Sequence, residues 1–268
     1  MTDALDRIAA ALERLTPPLG ATVAQNAAAY RWNGATLAPV EFAPLPLALL
    51  GGIDAQRDAV LTNTQRLAQG HGAHDVLLWG ARGAGKSALV KSVVGAVQAG
   101  GGDVALVEIA TDGLGTLPAL FDQVAAWQRS VIIFIDDLAF DHSGTDMRSL
   151  RSVLEGGASA RPPRVRLYVT SNKRNIVARD MAEQASAING RDVADDQLAL
   201  ADRFGLSLGF HVCDQDTYVA IVTGYAAHLG LAFDPADAVQ WATQRGSRSG
   251  RVAWHYAVEL AGRAGIAL

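Results

Sequence analysis

The stretch Gly80-Ala81-Arg82-Gly83-Ala84-Gly85-Lys86-Ser87 constrains this chain more than any other. It follows a short apolar run, Val76-Leu77-Leu78-Trp79, and opens an amphipathic segment beginning Ala88-Leu89-Val90-Lys91. Strand, glycine-rich turn, helix is the context that a G-x-x-x-x-G-K-[ST] phosphate loop requires. The glycines let successive backbone N–H groups curl around a polyphosphate, and the helix N-terminus adds unpaired donors and a partial positive charge. Gly80, Ala81, Arg82, Gly83, Ala84, Gly85, Lys86, Ser87 and Ala88 are therefore the expected cofactor-binding residues. Lys86 is placed to neutralise the terminal phosphates and Ser87 to put its hydroxyl on Mg2+. An ordinary glycine-rich turn would leave Lys86 solvated, but the full motif with both flanking elements argues for the phosphate loop.

The chain has 268 residues, which suggests one large or two modest domains. Half of the residues are apolar and the net charge is −4, so a sizeable core is affordable and a dedicated, strongly basic nucleic-acid module is disfavoured. The single cysteine, Cys213, permits no internal disulfide and fits a reducing cytoplasm. No apolar run approaches the length of a membrane span, and the N-terminus lacks the pattern of a secretory signal. The expected location is cytoplasmic, with no membrane contact.

Three regions are expected: an N-terminal helical and extended arm over 1–50, a nucleotide-binding αβα domain over 51–212, and a helical lid over 213–268. Leu5, Ile8, Leu12 and Leu15 recur at helical spacing, and Pro17-Pro18 stops that helix. A second helical piece is expected over Ala21–Tyr30, and the proline-punctuated residues 31–50 read as an extended arm or short strands. Asp54 is an expected N-cap for a helix reaching about Ala68. Strands are expected at Val104–Ile109, at Val131–Ile135, at Val165–Thr170 and, as an edge strand, at Leu206–His211. From Asp214 onward the strands cease and three helices follow.

The chemistry-bearing residues fall at strand ends. Val131-Ile132-Ile133-Phe134-Ile135 is apolar on both faces and runs straight into Asp136-Asp137. Two carboxylates behind a buried strand belong at the sheet's carboxyl edge, where ligands bind. Asp136 stands where an acid holds Mg2+, and Asp137 beside it is placed to polarise an attacking water. Asn172, at the next strand end, could hold that water or touch the terminal phosphate; the competing reading is an Asx-turn. Asn172-Lys173-Arg174-Asn175 resembles a guanine-reading N-K-x-D motif, but Asn175 offers one neutral carbonyl where an ionised acceptor pair is needed. Arg203, Arg245, Arg248 and Arg251 are candidate cations for charge developing on a transferring phosphoryl group. Arg161, Arg164, Arg166, Lys173 and Arg174 form a locally basic region, so nucleic acid is carried as a less favoured partner.

Together these residues resemble the AAA+ ATPases and, more narrowly, the bacterial family of AAA+ ATPases of unknown function (DUF815). The markers are Gly52-Ile53-Asp54-Ala55-Gln56, the phosphate loop, Asp136-Asp137-Leu138, Leu154-Glu155-Gly156-Gly157, Thr170-Ser171-Asn172, Asp202-Arg203-Phe204-Gly205 and Arg245-Gly246-Ser247-Arg248-Ser249-Gly250-Arg251. The resemblance implies an α/β P-loop NTPase fold, with a parallel sheet of order 5-1-4-3-2 and a small C-terminal helical lid. It implies ATP and Mg2+ as cofactors. It makes Asn172 the sensor-1 residue and Arg203 an arginine finger reaching a neighbouring subunit. Arg251 becomes the lid sensor, with Arg248 in reserve, and Ile53 lies near the adenine. The expected catalytic set is Lys86, Asp137, Asn172, Arg203 and Arg251, with Ser87 and Asp136 on the metal. Two departures count. The second acid is Asp137 where the general AAA+ pattern has Glu, and the loop Ala110–Gly115 lacks the aromatic residue of protein-threading members. The implied function is a homo-oligomeric ATPase acting on an unknown protein client. The alternative is a loader or adaptor in which ATP occupancy is the signal; a GTPase or small-molecule kinase fits less well.

Overall fold

The central strands are apolar on both faces, and their side chains divide strictly by parity. In the computed structural model, which describes residues 26–138, 145–154, 161–172 and 201–267, strand β5 (Ser130–Ile135) is buried throughout. Val131, Ile133 and Ile135 enter one apolar cluster, while Ile132 and Phe134 enter another on the opposite face. β4 (Val104–Ile109) repeats this, with Ala105, Val107 and Ile109 on one side and Val104 and Leu106 on the other. A strand buried on both faces needs a helical layer on each side. Helices α1 (Asp54–Ala68) and α2 (Lys86–Ala99) cover one face, through Val60, Leu67, Leu89, Val93 and Val97. Helices α3 (Leu117–Val124) and α4 (Thr145–Leu154) cover the other, through Leu120, Phe121 and Leu150.

The sheet has seven strands. Its parallel core comprises β7 (Leu206–Phe210), β3 (Val76–Gly80), β6 (Val165–Ser171), β5 and β4. Counted from the strand before the phosphate loop, that is the expected order 5-1-4-3-2. Two further strands extend it beyond β4. β1 (Ala29–Trp32) runs parallel to β4, and β2 (Leu37–Val40) pairs antiparallel with β1 at the edge. The expected helix over Ala21–Tyr30 is thus corrected within the described residues. Tyr30 and Trp32 are strand residues that bury their rings in the core, and an isolated four-residue strand carries too little period to be told from a helix end. Pro39 is tolerated because β2 is outermost, where a missing N–H costs no ladder bond.

Helix α1 starts at Asp54, but Ile53 is its N-cap and no side chain caps it, so Asp54 is a first-turn acid instead of the cap. The helix is fixed to the sheet by a buried polar knot. Asn63 Nδ2 donates to Tyr168 Oη at 3.0 Å, and Thr64 Oγ1 meets the same oxygen at 2.7 Å. Burial pushes the Tyr168 phenol up to about 12. The native state therefore keeps this proton when the unfolded chain, titrating near 10, has lost it, and stability falls as pH rises through that window. Tyr168→Phe is expected to cost about 1–2 kcal/mol at neutral pH and to flatten the alkaline decline. Thermal melts between pH 7 and 11 test both.

The C-terminal helices α5 (Gln215–His228), α6 (Pro235–Gln244) and α7 (Gly250–Arg263) enclose their own core of Tyr218, Val222, Tyr225, Tyr256 and Ala257. Each begins with a side-chain cap: Asp214 on Thr217 N–H, Asp234 on Ala236 N–H and Ser249 on Val252 N–H. Among the described residues, no helix is long and apolar enough to cross a membrane. The expected N-terminal helix, Asn175, Lys173 and Arg174, and the polar segment 178–197 lie outside the described residues.

Candidate functional site

The parallel register brings the ends of β3, β5 and β6 to one edge. Trp79 lies opposite Ser171, and Ile135 opposite Val169, so Gly80, Asp136 and Asn172 emerge together. At Gly80 (φ +121°) the chain turns off the sheet so close to β7 that a Cβ would lie 2.1 Å from the Phe210 carbonyl oxygen. That carbonyl accepts the Ala81 N–H at 2.8 Å. Gly85 (φ +93°) is the N-cap of α2, a left-handed position with no side-chain cap. The three lid helices carry side-chain caps, whereas α2, like α1 and α3, has none, so its first-turn N–H groups are open to an added partner. Ile53 covers the turn from outside; its Cδ1 would lie 3.6 Å from a Cβ on Gly85. Arg82 is exposed on the loop, while Ala84 and Ala88 pack on the core beneath it.

Lys86 is buried and all three of its N–H groups are engaged. Nζ donates to Gly80 O at 3.0 Å, to Ala81 O at 2.8 Å and to Asn172 Oδ1 at 2.9 Å. Burial lowers its pKa; Asp137 and Asp136 oppose that shift and Arg251 adds to it. Asn172 donates its amide to Asp137 Oδ1, so one neutral amide bridges the lysine and the second acid. Ser87 Oγ donates to Asp136 Oδ1 at 2.6 Å. Asp137 takes φ +54°, the only positive φ of a non-glycine residue among those described. This turns its carboxylate away from the strand direction toward Asn172.

The lid meets this edge in two places. The Arg251 N–H, at the head of α7, donates to Gly83 O at 3.2 Å. Thr217 and Ile221 of α5 crowd the Gly51-Gly52 segment ahead of Ile53. Arg251 adds to the lowering of the Lys86 pKa, whereas Arg248 acts on Cys213. Arg245 stacks over the Trp241 ring at 3.3 Å and stays within the lid.

Arg203 is not brought to this edge. It is exposed and lies three residues before β7, whose first residue, Leu206, pairs with Val76 at the start of β3. That is the end of the sheet opposite the phosphate loop. The basic region around β6 is largely absorbed into the fold. Arg161 pairs with buried Asp75 at 2.6 Å, Arg164 donates to Gln128 O and Arg166 to Ala73 O. Two residues that the sequence offers only within family markers, with no role of their own, belong here: Thr170, a buried hydroxyl of β6, and Gln56, which donates to Gly209 O at 2.9 Å. A hydroxyl at the end of a strand-forming run, two residues before Asn172, was the available signal for the first.

The donor set fits a triphosphate with Mg2+. A turn that a Cβ would obstruct, uncapped helix donors, a buried ammonium, and a hydroxyl–carboxylate pair 2.6 Å apart converge on one edge.

This sheet order, with the phosphate-loop turn after its first core strand and a helical lid seated on that turn, defines the AAA+ class of P-loop fold. The chain belongs to the family described as "Protein of unknown function (DUF815)", which matches residues 25–264. No curated protein matches it significantly. Among solved structures, a RuvB variant from Thermotoga maritima superposes with a TM-score of 0.53 at 16% identity over 81% of this chain. The chain spans 64% of that RuvB chain. The ORC1 protein of Aeropyrum pernix in complex with DNA gives 0.55 at 14% identity, covering 82% of this chain and 65% of that one. Domain III of the Thermotoga maritima replication initiation protein DnaA gives 0.53 at 12% identity, covering 85% and 94%.

Proposed function

We propose that this protein binds ATP with Mg2+, hydrolyses it, and couples turnover to conformational change in a client protein. The observation that carries this reading is the pair of hydrogen-bonded sets Ser87–Asp136 and Lys86–Asn172–Asp137, side by side at the phosphate-loop edge. The phosphate-loop amides and Lys86 would hold the phosphates, Ser87 and Asp136 the metal, and Ile53 the base. When bound, Mg2+ supplies charge neutralisation to the phosphoryl oxygens. Asp137, oriented by Asn172, is the base that takes a proton from the attacking water. Residues 213–268 act as the lid, moving with Arg251 against the 51–212 domain and its 1–50 extension.

Assembly is part of the reading. Arg203 sits at the far end of β3 from its own phosphate loop, where it can serve a neighbouring copy's site. Phosphate release per mole of protein is therefore expected to require Mg2+ and to rise with protein concentration. Absence of ATP–Mg2+ binding at millimolar nucleotide in equilibrium dialysis would refute the assignment.

Asp137, one methylene shorter than glutamate, favours a second reading in which ATP occupancy outlasts turnover and is itself the signal. Stable nucleotide binding with negligible phosphate release in an assembled sample selects that reading. The similar structures are of a Holliday junction branch migration motor, an ORC1 protein in complex with DNA and a domain of a replication initiation protein. DNA is nevertheless the less favoured client here, because Arg161, Arg164 and Arg166 are committed to the protein's own carboxylate and carbonyl groups.

A further inference from the structure

Thr170 touches three successive residues of the acid-bearing turn. Its hydroxyl donates to Asp136 Oδ1 at 2.6 Å and accepts the Asp137 N–H at 2.8 Å. Its carbonyl accepts the Leu138 N–H at 2.8 Å. The side chain is buried, with 1% of its surface exposed, so solvent does not compete for the hydroxyl. Two consequences follow from this geometry. Asp136 Oδ1 is occupied by two hydroxyl donors, those of Ser87 and Thr170. Ser87 can turn away toward a metal while Thr170, held by the Asp137 amide, cannot. The left-handed turn at Asp137 also has its N–H anchored by the same oxygen that holds Asp136. One hydroxyl therefore sets the direction of the first carboxylate and the backbone position of the second.

We infer that Thr170 is the positioning residue of the metal subsite, acting through Asp136, so that its hydroxyl determines how tightly divalent metal joins the bound nucleotide. The inference rests on the nucleotide-binding reading above. A group that orients a metal-holding side chain typically changes metal affinity by about 10–100-fold when removed. Valine preserves the shape of threonine and removes only the hydroxyl. Serine preserves the hydroxyl and removes a methyl.

The test is equilibrium binding of a fluorescent ATP analogue to the full chain, in EDTA and across a Mg2+ titration, with no turnover required. Thr170→Val is expected to leave EDTA affinity within about twofold of the wild type and to raise the Mg2+ concentration for half-maximal enhancement at least about tenfold; Thr170→Ser should return it to within about threefold of the wild type. In an Asp136→Asn background, Thr170→Val should add nothing further, because the two act through one carboxylate. Thr170→Ala carries the same expectations if circular dichroism shows the valine variant to be misfolded. A Thr170→Val titration superimposing on that of a nucleotide-binding wild type overturns this inference alone. So does equal loss with and without Mg2+ that serine fails to rescue. A wild type that binds no nucleotide in either condition overturns the functional reading and this inference together.

Discussion

Lys86→Ala is expected to weaken ATP affinity about 30- to 150-fold, equivalent to about 2–3 kcal/mol. The size follows from what the ammonium already does. Its three N–H groups are spent on Gly80 O, Ala81 O and Asn172 Oδ1. A triphosphate must displace at least some of them, so the ligand gains the difference between charge-assisted bonds to phosphate and bonds to neutral oxygens. Burial weakens the charged form of this lysine, and Asp136 and Asp137 hold it in that form. The alanine variant therefore loses a buried cation of the turn and removes the Nζ donor from Gly80 O and Ala81 O. Lys86→Met keeps the apolar stem; an equal loss in that variant assigns the effect to charge and not to packing. Isothermal titration with ATP–Mg2+ measures it. Unchanged affinity in both variants would remove the phosphate-loop assignment at its centre.

Arg203→Ala should leave ATP affinity within about twofold and lower turnover about a thousandfold or more, the magnitude of an arginine supplied to a phosphoryl transition state from a neighbouring chain. The contrast between the two variants comes from placement. Lys86 lies inside the turn of its own chain, whereas Arg203 lies before β7 at the opposite end of the sheet. A residue so placed cannot reach its own phosphate loop, and binding by an isolated chain should not register its loss. Mixing provides the discriminating measurement. Arg203→Ala chains retain intact phosphate loops, and Lys86→Ala chains retain intact arginines. Combining the two inactive variants should restore part of the wild-type phosphate release. Absence of restoration, together with normal turnover of assembled Arg203→Ala, would refute the finger assignment.

Much of this site was legible in one dimension because its chemistry is local. The spacing of Gly80, Gly85, Lys86 and Ser87 is set by the shape of a polyphosphate and by the start of a helix, both within one turn of chain. Asp136 was legible because a five-residue apolar run cannot end in two acids unless it stops at an open edge. Asn172 followed by the same logic. The sheet order came from the resemblance, since periodicity within a strand carries no information about which strand lies beside it.

The remainder needed the fold. β1 and β2 carry four residues each, too few for a period, and are strands because β4 offers an unpaired edge and Tyr30 and Trp32 fill space against α3. Arg161, Arg164 and Arg166 could not be known to meet Asp75, Gln128 and Ala73, because those partners are far away in sequence. Thr170 stood in the sequence only as part of the Thr170-Ser171-Asn172 marker; the pairing of β5 with β6 set its hydroxyl between the Asp136 carboxylate and the Asp137 N–H. By itself, then, the sequence determined the identity and spacing of the groups that could grip a triphosphate, since each lies within a few residues of a chain turn. Tertiary structure decided which distant hydroxyl, amide and arginine would orient those groups, because such contacts depend on register between strands that share no local code.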